Sequence, residues 1–229
     1  MIVDPPLLTV RRNFPRPDAS ILKALVGAQT GHIVDAMEGR GALDAGIKPI
    51  DGSRAAFVGT ALTCETGPSD NLAIFGALAI AEPGDVIVAA CDSFAVTAVI
   101  GDNLAMMAKN RGVVALVTDG MVRDTPGVIA ARLPVFARGV TPNSCVRSGP
   151  GRIGQPIVCA GIAIDSGDVV IGDVDGVVAV PRLRLDTIIS RLAEVLAAEK
   201  ALQARIAEGL GVLDQVVALM RSERVRYLD

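Results

Sequence analysis

Residues 101–124 read GDNLAMMAKNRGVVALVTDGMVRD, and this stretch decides the fold class. Gly101 precedes a helical pattern over about 102–109, so the chain is expected to start a helix here. Residues 113–117 form a short apolar run rich in β-branched side chains, which is typical of a fully buried strand. Residues 119–120 are Asp-Gly, which marks the turn leaving that strand. The stretch therefore predicts a helix followed by a buried strand.

Arg123 and Asp124 stand just beyond this strand. Connections at the ends of parallel strands are the usual place for a site in an open α/β sheet. A guanidinium beside a carboxylate can hold an anionic substrate and a divalent cation together. A surface ion pair is the competing interpretation, since isolated exposed pairs are common and weak.

The sequence on both sides continues this alternation of strands and helices. Asp18 is placed to cap a helix over 19–28, and Asp70 to cap one over 71–81. Strand patterns cover 56–64, 86–90 and 135–137, and a further helical pattern covers about 125–131. This order predicts a partly parallel sheet with helices packed on it.

The character of the chain changes after residue 155. Brief β runs at 157–160, 162–164, 169–171 and 177–180 are separated by turn residues, which predicts antiparallel hairpins. A long amphipathic helix follows from Leu183 to about Glu208. We therefore expect an α/β fold: a layered α/β sandwich with a mixed sheet, antiparallel β hairpins near residues 155–181 and a long C-terminal helix. Residues 1–229 are expected to form one domain, with helical N-terminal (1–50) and C-terminal (183–229) extensions.

Composition excludes several classes of function. The 229 residues carry a net charge of −3 with dispersed basic residues, and only 3% are aromatic, so no nucleic-acid partner is expected. An uninterrupted apolar segment of about 18 residues is missing, so no membrane partner is expected either. The first 17 residues lack the pattern of a signal peptide. The four cysteines are widely spaced and read as reduced thiols, so we expect a cytoplasmic protein.

Three other catalytic patterns are weaker. A catalytic cysteine would need a histidine partner, and the single histidine, His32, reads as an ordinary helix residue. Residues 149–154, GPGRIG, fit GxGxxG, but the polar stretch before them and the β run after them indicate a glycine-rich turn rather than a dinucleotide site. The four lysines occupy solvent-facing or loop positions, which disfavours a Schiff base. For carbon–carbon chemistry a metal is then the better electron sink, and hard oxygen ligands suit Mg²⁺ or Mn²⁺.

Three segments carry a family resemblance: PSDNLAIFGALAIAEPGDVIVA (68–89), residues 101–124 and GDVVIGDVDGVVAVP (167–181). Over roughly residues 25–205 the chain resembles the RraA-like family. Within that family it is most similar to the 4-hydroxy-4-methyl-2-oxoglutarate / 4-carboxy-4-hydroxy-2-oxoadipate aldolases. The resemblance implies a divalent-metal-dependent class II aldolase that forms pyruvate from a small 2-oxo acid and also decarboxylates oxaloacetate. It further implies a homotrimer or homohexamer with active sites between subunits.

The resemblance also implies roles for particular residues. Asp124 is expected to take the Mg²⁺ or Mn²⁺ ion, partly through waters, and Arg123 to bind the pyruvyl oxygens and offset the charge of the enolate. The turn formed by Gly101, Asp102, Asn103 and Leu104 is expected to present backbone amides to the substrate carboxylate, as a helix N-terminus can. Asp102 is expected to orient the water that removes the C4 hydroxyl proton. A plain helix start remains the alternative for this turn.

Two features of the sequence each allow more than one role. Glu199 on the long helix either reaches the site of a neighbouring subunit or is a solvated carboxylate. Several arginines could bind the second carboxylate of the substrate, among them Arg138, Arg147 and Arg152.

A regulator that binds a ribonuclease is the main alternative function, because some RraA-like proteins act that way. The intact Arg-Asp pair favours the enzyme. A quinone methyltransferase is disfavoured, because no glycine-rich cofactor loop stands in the required context.

Overall fold

The computed structural model describes residues 4–228. The helices are α1 (Ala19–Leu25), α2 (Thr30–Ala36), α3 (Leu72–Ile80), α4 (Asp102–Asn110), α5 (Thr125–Ala131), α6 (Leu185–Ala207) and α7 (Asp214–Met220). The strands are β1 (Leu8–Val10), β2 (Lys48–Pro49), β3 (Phe57–Thr66), β4 (Asp85–Ala90), β5 (Ala98–Ile100), β6 (Ala115–Thr118), β7 (Met121–Val122), β8 (Val135–Ala137), β9 (Gly139–Val140), β10 (Gly151–Ile153), β11 (Ile157–Cys159), β12 (Ile162–Ile164), β13 (Val169–Asp173) and β14 (Gly176–Val180).

The main sheet has nine strands and is mixed. Its path runs β1-β10-β3-β4-β6-β8-β2, and β3, β4, β6 and β8 at its centre are parallel. One edge of β3 is shared by two antiparallel neighbours, β13 along its first half and β10 along its last residues. Antiparallel hairpins β11–β12 and β13–β14 lie within residues 155–181. The predicted mixed sheet and hairpins are confirmed.

Alternating side chains make the central sheet the middle layer of the molecule. Leu62, Ile87 and Leu116 point to the face covered by α3, α4 and α5. Their sequence neighbours, such as Val86 and Val117, point to the opposite face, which the hairpin strands cover. Both faces are therefore buried, and this explains why residues 86–90 of β4 and 115–117 of β6 are continuously apolar rather than alternating.

A third layer packs against the outer face of the β13–β14 hairpin. It consists of α1, α2 and the first half of α6, and it buries Ile33, Ile188 and Leu192 against the hairpin. The hairpin is also tied to α2 by polar contacts. The Asp173 carboxylate accepts hydrogen bonds from the amide (2.7 Å) and the hydroxyl (2.8 Å) of Thr30, at the first residue of that helix.

A small parallel sheet extends the main sheet beyond its carboxyl edge. Strands β5, β7 and β9 follow β4, β6 and β8 along the chain and pair in the order β5-β7-β9. At the bend between the sheets, the buried carboxylate of Asp119 accepts hydrogen bonds from the amides of Cys91 (2.7 Å) and Ser93 (3.0 Å). A side chain at Gly120 would collide with the Cys91 sulfur. The Asp-Gly pair thus forms the step from one sheet to the next.

The N-terminal expectations need correction. The helix predicted over 19–28 ends at Leu25, and the Asp18 side chain makes no capping bond, although its carbonyl accepts the Ile21 amide (2.9 Å). Strands β1 and β2 also lie in the region predicted to be helical, residues 1–50. These strands have three and two residues, too few for a period to show in the sequence.

The long C-terminal helix is present and overhangs the domain. It spans 23 residues, which is about 34 Å at 1.5 Å per residue. Leu185, Ile188 and Leu192 in its first half are buried, whereas Leu202 and Ile206 on the continuing apolar stripe are exposed. Helix α7 beyond it buries none of its residues. Among residues 4–228 no helix combines the length and the apolar character needed to cross a membrane.

Candidate functional site

A small cleft opens at the carboxyl ends of β5 and β7, where α4 and α5 begin. Its volume is about 80 Å³. A loop formed by residues 141–149, which we call the rim loop, closes another side of the cleft. The side chains or backbone that line it belong to Asn71, Phe75, Ala98, Val99, Ile100, Gly101, Asp102, Asn103, Leu104, Arg123, Asp124, Ser144, Cys145 and Arg147. All six residues proposed from the sequence thus lie in one place.

Arg123 and Asp124 form one wall of the cleft. Arg123 Nε lies 3.1 Å from Asp124 Oδ2, and Arg123 Nη1 donates a hydrogen bond to the Ser144 hydroxyl of the rim loop. The two side chains are 40% and 42% exposed, so both are open to a ligand. A surface pair of this kind stabilises the fold little. The arrangement is better suited to binding than to stability.

The backbone explains why Asp124 turns into the cleft. Asp124 has a φ of 57°, in the left-handed region, and its carbonyl accepts the amides of Gly127 (2.9 Å) and Val128 (3.0 Å). Asp124 therefore begins α5 with its main chain, and its carboxylate is not used as a cap. A non-glycine residue in this conformation is strained, and such residues cluster at functional sites.

The start of α4 faces this pair. Gly101 occupies the N-cap position, and a methyl group on its α-carbon would come within 2.9 Å of Asp124 Oδ2. Glycine is needed here for space, since its φ of −136° suits any residue. The Asn103 amide donates to Asp102 Oδ1 (2.6 Å), so one amide of the first turn is already engaged. Leu104 is buried, and its side chain belongs to the core.

A second arginine lies in the cleft. Arg147 is held by two neighbours: its Nε donates to Asn71 Oδ1 (3.3 Å), and its guanidinium carbon lies 4.4 Å from the centre of the Phe75 ring. The buried Asn71 is itself fixed, because its Nδ2 donates to the Val99 carbonyl (3.1 Å). Asn71 and Phe75 were not singled out from the sequence as site residues. They face the cleft from the start of α3, a helix that reads as purely apolar.

The other two candidate arginines lie elsewhere. Arg138 bonds to Asp44 (3.3 Å) and to the Asp119 carbonyl at the bend between the sheets. Arg152 on β10 pairs with Glu65. Neither is among the residues that line the cleft. Of the three arginines considered for a second carboxylate, Arg147 alone is placed beside Arg123.

Glu199 does not line the cleft of its own chain. It lies on α6 and faces α2, where its Oε2 is 3.2 Å from His32 Nε2. The single histidine is therefore a helix residue, as expected, and its pairing with a carboxylate is an addition from the structure.

The cysteines do not form a nucleophilic site. Burial raises the pKa of Cys64, Cys91, Cys145 and Cys159, and that of Cys91 reaches about 12. At neutral pH these groups are thiols, and a thiolate is the form that attacks.

The oxygen donors of the cleft fit a hydrated divalent cation. Across the described residues, histidine, cysteine, aspartate and glutamate nowhere gather in a group of three that could hold a metal ion. Mg²⁺ needs no such group, because it keeps several waters and binds through one or two carboxylates plus substrate. Asp124 and Asp102, both in the cleft lining, supply carboxylates of that kind. The absence of a Cβ at Gly101 leaves room for the Asp124 carboxylate beside the start of α4.

Comparison with known proteins identifies the family. A family model described as RraA-like, Aldolase/RraA, matches residues 30–179. The chain belongs to the RraA-like family. A Halalkalibacterium halodurans protein, provisionally named as a 4-hydroxy-4-methyl-2-oxoglutarate aldolase, is 34% identical over 178 residues, covering 78% of this chain and 84% of that protein.

Solved structures carry the same fold. An uncharacterised protein from Pseudomonas syringae superposes with a TM-score of 0.76 at 26% identity, covering 88% of this chain and 98% of that one. The Streptomyces coelicolor protein RraAS2, described as an unusual member of the RNase ES inhibitor RraA protein family, superposes with a TM-score of 0.74 at 26% identity, covering 83% of this chain and all of the other. The family thus includes proteins named as aldolases and proteins named as ribonuclease inhibitors.

Proposed function

We propose that this protein is a divalent-metal-dependent class II aldolase. It cleaves a 4-hydroxy-2-oxo acid with two or more carboxylates, of the 4-hydroxy-4-methyl-2-oxoglutarate or 4-carboxy-4-hydroxy-2-oxoadipate type, to pyruvate, and it decarboxylates oxaloacetate at the same site. The observation that carries the proposal is the Arg123–Asp124 pair facing the N-terminus of α4 across one cleft.

The chain supplies binding for the pyruvyl half of the substrate. Free amides in the first turn of α4 and the positive end of its dipole suit the carboxylate. Arg123 reaches the 2-oxo oxygen, where negative charge develops when the C3–C4 bond breaks. A preorganised donor at such an oxygen typically contributes about 10²–10³ in rate. A divalent cation at Asp124 would supply Lewis-acid polarisation of the 2-oxo group.

The proton transfers are assigned to Asp102. Its carboxylate lies at the N-terminus of α4 in the cleft lining, where it can orient a water that takes the C4 hydroxyl proton. The electron pair of the C3–C4 bond then passes to the pyruvate enolate, and C4 becomes a carbonyl group. Protonation of the enolate at C3 releases pyruvate. Loss of carbon dioxide from oxaloacetate gives the same enolate, so one site serves both reactions.

Arg147 supports a substrate with two carboxylates. Its planar fork matches a carboxylate, and its contacts with Asn71 and Phe75 hold it in the cleft lining. A monocarboxylic acid such as pyruvate would leave this cation unpaired.

A ribonuclease-binding regulator is the second candidate, and it rests on the RraA inhibitors among the structural relatives. A regulator of this kind does not require the cleft. An assay of pyruvate release distinguishes the two candidates, because only the aldolase is expected to release pyruvate.

The deciding assay couples pyruvate release to lactate dehydrogenase. We expect release from 4-hydroxy-4-methyl-2-oxoglutarate and oxaloacetate with Mg²⁺ or Mn²⁺, and none in excess chelator. An Asp186→Ala variant, altered at an exposed position on α6, is expected to match the parent and serves as control. Full activity in chelator would contradict the metal mechanism. No release from any 4-hydroxy-2-oxo acid, combined with inhibition of a ribonuclease, would favour the regulator.

A further inference from the structure

We propose that Asp70 is a positioning residue that sets Arg147 in the cleft, and that the pair selects ligands with a second carboxylate. The inference rests on the proposed function for the site, and it extends that function to a residue outside the cleft lining. Asp70 reads as a simple helix cap, yet its side chain joins two segments that are far apart in sequence.

The Asp70 carboxylate is saturated with hydrogen bonds. Its Oδ1 accepts from the Leu72 amide (2.8 Å) and lies 3.2 Å from the Thr66 hydroxyl, which also donates to the Asp70 carbonyl (2.7 Å). Its Oδ2 accepts from the amides of Ser148 and Gly149, at the end of the rim loop. The residue is 3% exposed. One oxygen thus starts α3, and the other fixes the rim loop.

The backbone around Asp70 pins the other side of Arg147. The Val146 amide donates to the Ser69 carbonyl (2.8 Å), and the Asn71 amide donates to the Val146 carbonyl (3.1 Å). Arg147 therefore stands between two anchored residues, Val146 and Ser148. Its side chain then meets Asn71, the next residue after Asp70. A single short segment, 69–71, determines both the backbone and the side-chain position of this arginine.

Replacement by asparagine breaks this arrangement without changing the size of the side chain. A carboxamide has one acceptor oxygen, and its nitrogen would face N–H groups that need an acceptor. The rim loop or the start of α3 then loses its partner. A guanidinium fork discriminates by its orientation as well as its charge, so a displaced Arg147 loses the second carboxylate first.

The test is a double-mutant cycle on ligand binding. The probe is 2-oxoglutarate, which has two carboxylates and no 4-hydroxyl group to cleave, with pyruvate as the one-carboxylate reference. Calorimetric titrations with Mg²⁺ present compare the parent with Asp70→Asn, Arg147→Ala and the double variant. We expect each single variant to lose about tenfold in 2-oxoglutarate affinity and less than twofold in pyruvate affinity. The double variant should lose no more than Arg147→Ala alone, because Asp70 acts through Arg147.

Two further variants separate positioning from general damage. Asp173→Asn removes an equally hydrogen-bonded carboxylate on the β13–β14 hairpin, and it should lower stability while leaving the 2-oxoglutarate to pyruvate affinity ratio unchanged. Thr66→Val removes one donor to Asp70 and should lower the ratio less than Asp70→Asn, which covers the case in which Asp70→Asn does not fold.

The outcomes also separate this inference from the proposed function. The role of Asp70 would be overturned if the affinity losses of the two single variants added in the double variant. It would also be overturned if a variant lost equal affinity for 2-oxoglutarate and pyruvate, or if the parent bound neither acid. The variants could lower the ratio of 2-oxoglutarate to pyruvate affinity non-additively in a protein that releases no pyruvate from any substrate. That result would support the role of Asp70 and reject the proposed aldolase activity.

Discussion

The side chain of Asp102 lies against the α-carbon of Gly127. A methyl group at Gly127 would come within 2.6 Å of Asp102 Cβ and 2.7 Å of its Oδ2. Gly127 is in the first turn of α5, and Asp102 is the first residue of α4. The close approach of the two helices therefore fixes the carboxylate to which we assign proton transfer.

Substitution of Gly127 by alanine is predicted to displace Asp102 and lower turnover by about 10²-fold, the loss that a misplacement of about 1 Å can cause. Steady-state pyruvate release measures this. Gly31→Ala is the matched control, because Gly31 lies in α2 with open space around its α-carbon. It should keep parent activity and gain about 0.5–1 kcal/mol of stability. Parent-like turnover for Gly127→Ala would remove Asp102 from the mechanism.

Arg123→Ala and Asp124→Ala are predicted to fold like the parent and to lose at least about 10²-fold in kcat/KM, because each removes charge that the transition state needs. Arg123→Lys should also be poor, since a point charge cannot replace a planar fork. Circular dichroism checks the fold, and pyruvate release at saturating Mg²⁺ checks the activity. If either alanine variant turned over like the parent, the site would lie elsewhere.

Stability is predicted to fall in acid through two hydrogen-bonded carboxylates, the buried Asp70 and the partly buried Asp173. Burial alone would raise the pKa of Asp70 and Asp173, but hydrogen bonds outweigh it and hold each pKa below its usual range. A lowered folded pKa stabilises the protein above the unfolded value of about 3.9, and this stability is lost as the pH falls through the folded value. Urea unfolding at pH 7, 5, 4 and 3 should show the loss below about pH 5.

Asp173→Asn supplies the comparison for this pH dependence. It removes an ionised acceptor of the Thr30 amide and hydroxyl and should cost about 1–3 kcal/mol at pH 7. The variant should also lose less stability than the parent between pH 5 and pH 3. An identical acid profile for the two proteins would show that Asp173 does not titrate with unfolding.

We predict that the chain forms an oligomer, because the second half of α6 and all of α7 bury no residues in their own chain. We call this segment, residues 196–220, the C-terminal arm. Exposed apolar side chains on this arm include Leu196, Leu202, Ile206, Val212, Leu213, Val216, Leu219 and Met220. Large contiguous apolar patches on a protein surface usually mark interfaces. We predict a homotrimer or homohexamer, and a chain ending at Ala207 should form a smaller or weaker assembly. Light scattering coupled to size exclusion measures both. A stable monomer with full activity would defeat this prediction.

A site shared between subunits can be tested with Glu199, which faces away from its own cleft toward His32. If Glu199 serves a neighbour, mixed assemblies of Glu199→Ala and Asp124→Ala chains should recover part of the activity. Some interfaces would then carry both intact groups. Confirmed exchange of subunits without recovery would leave Glu199 as a helix residue bound to His32.

The regular part of the fold was predictable, because its signals are local. Helix α5 and strand β8 have the predicted bounds, and the four parallel strands at the centre were expected as apolar runs. The small sheet was missed, since β7 and β9 have two residues each and depend on their neighbours for pairing. In the cleft, the residues from 101 to 124 were predictable from one contiguous motif. Asn71 and Phe75 were not, because their role depends on Arg147, more than 70 residues away.

The step from the main sheet to the small parallel sheet separates the strands that form the core from the strands that carry the cleft. In most open α/β folds the same strands do both. The nine-stranded sheet holds the buried core, whereas the cleft lies one short strand further out, beyond the Asp119 bend. Most of the cleft lining therefore lies in the connections after β5 and β7 and in the rim loop, and Asn71 and Phe75 join it from the start of α3. Substitutions at the exposed positions of these connections leave the core of the nine-stranded sheet unchanged, so they are the places where specificity can be altered at the smallest cost in stability.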